Sequence, residues 1–214
     1  MEYVYLICLL VAISMMVWLK LYDVRNSVSQ YLSLTTIIIS CFGYYFLAIS
    51  RTLEEALFAQ IISYVGGVFL PIFYFFIVLE ICHLEIKKVV KVLLVLCQCC
   101  VYGFVCTIGR SELFYKRVEM YRTNGIVVLE KSYGPFHVLS IGTMYLYLLC
   151  SFVAVIYVFI KKKSVDRKNA ITLLLLMIFA VGVYVAQKIF HIEYEFMPVA
   201  FVFLISITDQ QLTS

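Results

Sequence analysis

An all-α membrane protein, a bundle of seven transmembrane helices with a small outer β-hairpin between the fourth and fifth, is the fold class that this sequence predicts. Three observations carry it. Hydrophobic residues make up 64% of the 214, charged residues only 14%, and the mean hydropathy is +1.00. The apolar residues fall in runs long enough to cross a bilayer, at residues 3–19, 31–50, 54–82, 89–109, 135–160, 169–190 and 196–208. The basic residues cluster in alternate connections between those runs.

The first run lacks a positive n-region, since Glu2 is the only charge before it, and no small-residue cleavage site follows. It reads as an uncleaved anchor and not as a signal peptide. The second connects through Arg51 to the third, which opens on Thr52-Leu53-Glu54-Glu55. Thr52 and Glu55 have capping-box spacing, so both are expected to close orphan N–H groups at a helix start. Glu54 and Glu55 are explained there by capping and the helix dipole. Pro71 removes a helix donor and crowds the carbonyl of Gly67, second of the Gly66-Gly67 pair, so a bend is expected in mid-helix. Ser63/Gly67 and Gly182/Ala186 put small residues four apart, spacing suited to bundle or homodimer contacts. Glu80 and His83 close the third run and are expected to form an interfacial ion cluster with Lys87.

The fourth run carries Cys97-Gln98-Cys99-Cys100, which lacks zinc-ligand spacing. All eight cysteines lie in or beside apolar runs and read as small packing residues. The longer connection at 110–134 holds an Asn124-Gly125 turn between 118–121 and 126–129, the signature of a β-hairpin. It reads as a lid shielding the helix ends or as a flap contacting a ligand. Pro135, following Gly134, is expected to start the fifth helix. Pro198 opens the seventh.

The first, third and fifth connections hold ten of the 17 Lys and Arg residues, among them Lys87, Lys88 and Lys91. The positive-inside rule places those connections in the cytoplasm, the N-terminus outside and the C-terminus inside. The net charge of +4 therefore speaks to topology; no nucleic-acid motif accompanies it.

Polar groups inside a membrane are functional-site candidates by default. Gln60, His137, Gln187 and Lys188 lie near the outer face, followed by His191, Glu193, Tyr194 and Glu195, with Tyr64 and Tyr184 as aromatic walls. Gln60, Tyr64, His137, Tyr184, Gln187 and Tyr194 form the candidate pocket for a small or lipophilic ligand; the plainer reading is interhelical hydrogen bonding. His191, Glu193 and Glu195 have two-residue spacing, which suits neither one helix face nor HExxH, so no metal and no cofactor is expected. Hydrolase triads, phosphate loops and a mid-helix Schiff-base lysine are likewise missing from the sequence.

Arg51-Thr52-Leu53-Glu54-Glu55-Ala56, then Tyr64-x-Gly66 and Pro71, resemble the third helix of the seven-transmembrane N-terminal region of bacterial histidine kinases. Tyr133-Gly134-Pro135 followed by Tyr145 and Tyr147, the basic Lys161–Lys163 and Arg167 loop, and Pro198 resemble later parts of the same region. The resemblance spans the whole chain, 1–214, as one domain in a bacterial cytoplasmic membrane. It implies a sensory input module that passes an outer or membrane-borne signal to a cytoplasmic output domain, such as a histidine kinase or diguanylate cyclase, or to a partner kinase. The sequence stops at Ser214 before any catalytic motif, so no enzymatic activity is expected of these residues. The alternative is a small permease or accessory membrane subunit; an intramembrane enzyme would have to use Glu80, His83 or His137.

Overall fold

The computed structural model describes residues 2–21, 27–123, 126–161 and scattered positions between 171 and 186, where the described residues are helical. Five helices and one hairpin are ordered α1 (Glu2–Leu21), α2 (Val28–Ile49), α3 (Leu53–Ile81), α4 (Lys88–Val105), β1 (Tyr115–Thr123), β2 (Ile126–Tyr133) and α5 (His137–Lys161). All five helices are long and apolar enough to cross a membrane. Large apolar side chains stand exposed along them, among them Leu10, Val92, Leu149 and Ile160, as a hydrocarbon solvent permits.

α2 and α3 form the centre. Each begins with a reciprocal capping box. In α2, Ser27 Oγ accepts from the Gln30 N–H at 3.2 Å while Gln30 Oε1 accepts from the Ser27 N–H at 2.8 Å. In α3, Thr52 Oγ1 accepts from the Glu55 N–H at 3.2 Å, and Glu55 Oε2 accepts from Arg51 N at 2.7 Å and Thr52 N at 3.4 Å. With only three residues between α2 and α3, the two helices lie antiparallel. They approach closely at two glycines. A methyl on Gly43 would stand 2.4 Å from the Ser63 nitrogen, and one on Gly66 would stand 2.5 Å from Ser40 Oγ. Ser40 Oγ also donates to the Ser63 carbonyl at 2.8 Å. The small residue opposite Ser63 is therefore Gly43, and Gly66 is the glycine of α3 that the interface requires. At Gly67, whose spacing from Ser63 suited a bundle or homodimer contact, an added methyl would meet the Tyr64 ring of its own helix at 3.9 Å.

α3 runs as one continuous helix through Pro71. Its other end is a Schellman motif. The His83 N–H donates to the Glu80 carbonyl at 3.0 Å and the Leu84 N–H to the Leu79 carbonyl at 2.8 Å. His83 itself sits at φ 51°, the left-handed position usually given to glycine.

α1, α2, α3 and α5 share the main apolar core, with Ala12, Leu34, Ile37, Ile77 and Val158 almost wholly buried. α4 leans on this core at its edge, burying only Gln98 and Val105. Cys8, Cys41 and Cys82 are buried as expected for packing residues, whereas Cys97, Cys99, Cys100 and Cys106 are exposed. The correction follows from α4, whose cysteine-bearing face turns away from the described bundle. All eight are free thiols.

β1 and β2 pair antiparallel from Tyr115↔Tyr133 to Thr123↔Ile126, a longer ladder than the apolar alternation suggested. The Asn124-Gly125 turn itself lies outside the described residues. Val127 and Leu129 pack with Leu47, Ala56 and Ala59, so the hairpin lies over the α2–α3 turn. Arg122 Nη2 donates to the Ser50 carbonyl at 3.2 Å, tying β1 to that turn. α5 starts at His137, with Pro135 in the turn just before it, two residues later than expected.

Candidate functional site

The hairpin, α3 and α5 meet at its base in a cluster of Tyr64, Phe114, Tyr115, Tyr133 and His137. Local backbone chemistry builds it. The Gly134 N–H donates to the Phe114 carbonyl at 2.8 Å and the Phe136 N–H to the Leu113 carbonyl at 3.0 Å, pinning the segment before β1 against the segment after β2. A methyl on Gly134 would lie 2.4 Å from both the Glu112 and Leu113 carbonyl oxygens, so only glycine allows this approach.

A β-bulge then aims Tyr115. The ladder slips between Tyr115 and Arg117. Beyond it, Arg117, Glu119 and Tyr121 face outward while Val118 and Met120 turn towards the bundle. Strict alternation would have turned Tyr115 outward with Arg117. The extra residue, Lys116, reverses the phase, and Tyr115 is only 3% exposed.

Tyr64 OH stands 2.7 Å from Tyr115 OH and 3.3 Å from His137 Nε2. With Nε2 unprotonated, Tyr64 donates to the imidazole and accepts from Tyr115. Tyr133 stacks on His137 with centroids 3.9 Å apart at 22°, and Phe114 meets both His137 and Tyr64 edge-on, at 5.1 and 5.2 Å. Phe114 is fully buried and His137 is 7% exposed. Two hydrogen-bonded hydroxyls, an imidazole and four aromatic rings thus converge where three chain segments touch. The group joins the hairpin to α3 and α5 through hydrogen bonds and ring contacts.

Of the candidate pocket, the structure brings Tyr64 and His137 together. Gln60 is one helical turn before Tyr64 and buried, and its side-chain Oε1 has no hydrogen-bond partner. Tyr184, Gln187 and Tyr194, with Lys188, His191, Glu193, Glu195 and Pro198, lie outside the described residues. Phe114, Tyr115 and Tyr133 were not in the expected pocket. The signal for them was the Asn124-Gly125 turn: once it sets the register, the strand feet fall near Tyr115 and Tyr133, beside His137.

α4 is held to α3 by side chains that donate to its backbone. Gln98 Nε2 donates to the Val68 carbonyl at 2.6 Å and to Thr143 Oγ1 at 3.2 Å, and Tyr102 OH to the Ile61 carbonyl at 3.1 Å. Val68 neighbours the Gly67 carbonyl that Pro71 leaves without its helical donor. Gln98, which in the sequence is merely the residue inside a cysteine cluster, thus supports the proline-bearing stretch of α3.

At the far end of α3, Glu80 Oε1 accepts from Ser29 Oγ at 2.9 Å and from Lys91 Nζ at 3.2 Å. The expected partner was Lys87; the actual one is Lys91, because the Schellman turn carries the chain away before α4 brings Lys91 back over Glu80. Among the described residues, no group of three or more His, Cys, Asp or Glu side chains is placed to hold a metal.

A mostly helical chain with five apolar helices of spanning length among its described residues, a polar cluster at one end and an ion pair at the other defines a multi-pass membrane protein. A family model described as the N-terminal 7TM region of histidine kinase matches residues 4–208, and the chain belongs to that family. That family is a sensor region without a catalytic domain. No curated protein matches the chain.

Proposed function

We propose that residues 1–214 act as one sensory input domain of seven membrane-spanning helices, carrying an outer or membrane-borne signal to a cytoplasmic output domain or partner kinase. The N-terminus and the hairpin lie outside and the C-terminus in the cytoplasm of a bacterial cell, an orientation supported by the basic residues of alternate connections. The observation that carries the reading is the Tyr64–Tyr115–His137 network, which joins the exposed hairpin to two bundle helices. A ligand meeting Gln60, Tyr64 and His137, with Tyr184, Gln187 and Tyr194 as further walls, would alter that junction and bias the bundle between two packings. Paired copies would present two such domains to the output.

The test is a fusion of the full chain to a histidine kinase core, with autophosphorylation measured in membranes. His137→Ala is expected to shift basal autophosphorylation by up to about fivefold, the change that loss of roughly 1 kcal/mol of one state's hydrogen bonding produces. Unchanged autophosphorylation in a well-folded variant would reduce the cluster to scaffold. Solute uptake by proteoliposomes of the chain alone would replace the sensor reading with a permease.

A further inference from the structure

The turn between α3 and α4 borders an open-sided cavity of about 330 Å³, lined by Glu80, Lys91 and the exposed His83 and Glu85 among leucine and isoleucine side chains. Two carboxylates, of Glu80 and Glu85, and one ammonium, of Lys91, line it. Glu80 Oε2 has no hydrogen-bond partner, and among the described residues Glu85 forms no ion pair. A carboxylate oxygen removed from water without a donor is costly. Among the described residues, the lining therefore offers Glu80 Oε2 no N–H donor and Glu85 no cationic partner.

Immediately beside the cavity stand cationic groups. α4 begins with Lys87 as an N-cap that makes no side-chain cap bond, and its first turn has no acidic residue. Lys87 and Lys88 are exposed. A helix N-terminus with open N–H groups and two lysines favours a phosphate. From there Val89, Val92, Leu93 and Leu96 form an exposed stripe along α4 at helical spacing.

From these features we infer that the α3–α4 turn binds the headgroup of a phosphatidylethanolamine-type lipid. The primary ammonium enters the cavity to Glu80 and Glu85, the phosphate sits over Lys87, Lys88 and the α4 N-terminus, and the acyl chains lie along the apolar stripe. An ammonium that keeps its N–H groups fits the lining; a quaternary choline, which has none to give, does not. The assignment needs only a chain that spans a bilayer, and stands whether or not the protein signals.

Native mass spectrometry of the full chain, released from bilayers of equal phosphatidylethanolamine, phosphatidylcholine and phosphatidylglycerol, tests it. Phosphatidylethanolamine is expected to be retained about fivefold over phosphatidylcholine, the value of one partly exposed charge-assisted contact. Glu85→Gln is expected to abolish that preference while the thermal midpoint stays put, since Glu85 makes no ion pair among the described residues. Lys87→Gln with Lys88→Gln is expected to lower retention of both phosphatidylethanolamine and phosphatidylglycerol. Equal retention of phosphatidylcholine, greater retention of phosphatidylglycerol, or an unchanged preference in Glu85→Gln overturns the proposal. Soluble phosphoethanolamine is the further arm: competition as strong as that of the intact lipid would remove the acyl stripe from the site and overturn the lipid assignment.

Discussion

The two ends of α3 are anchored by opposite kinds of chemistry. Near its N-terminus, Tyr64 joins a network of hydroxyls, an imidazole and ring faces packed around Phe114. Near its C-terminus, Glu80 joins Ser29 of α2 and Lys91 of α4 through an ion pair whose side chains are 28% and 31% exposed. A buried hydrogen-bonded network is demanding about geometry, because each unmet group is costly and no solvent compensates. A half-exposed ion pair tolerates displacement but responds to salt. One helix is therefore sensitive to shape at one end and to ionic conditions at the other.

The largest effect that could break this contrast is at Gly134. Gly134→Ala drives a methyl into two backbone carbonyls that have nowhere to move without opening the base of the hairpin. A loss of about 1–3 kcal/mol of stability is expected, read as a lower thermal midpoint in detergent; a wild-type midpoint would mean that the shape-sensitive end is softer than its contacts suggest. Next is Tyr64→Phe, which keeps the ring and removes the hydroxyl between Tyr115 and His137. It is expected to cost about 1 kcal/mol, insensitive to salt. Lys91→Met should cost less, up to about 1 kcal/mol, and the deficit should shrink in high salt because the wild-type pair is itself screened. A salt-independent deficit would erase the distinction between the ends. Smallest is Glu130→Lys. Glu119 and Glu130 stand directly opposite on the outward hairpin face, and reversing one charge is expected to stabilise the hairpin by a few tenths of a kcal/mol, visible as slower amide exchange in β1.

Legibility in the sequence followed the range of the forces involved. Helix starts at Thr52 and the hairpin about Asn124-Gly125 depend on a few neighbouring residues, and these were readable. The Ser27–Gln30 capping box has the same spacing and is as local, though it was not singled out. Contacts set by how helices rotate against one another were not readable. Ser63 was recognised as a close-approach residue, yet its counterpart Gly43 lies on another helix, and which of Gly66 and Gly67 faces α2 depends on helix rotation. Lys91 replaced Lys87 opposite Glu80 because a left-handed His83 redirects the chain, and histidine gives little warning of that conformation. Tyr115 was hidden by the bulge, which reverses side-chain alternation without any glycine to mark it.

Gly43 and Gly66 carry a last consequence. With a backbone nitrogen and a serine side chain where their methyl groups would be, α2 and α3 cannot slide past each other without prising apart, and the Ser40–Ser63 hydrogen bond resists rotation as well. The pair is a stator. α4 is held to that frame by two side chains reaching for backbone carbonyls, and α5 by the apolar core it shares with α2 and α3.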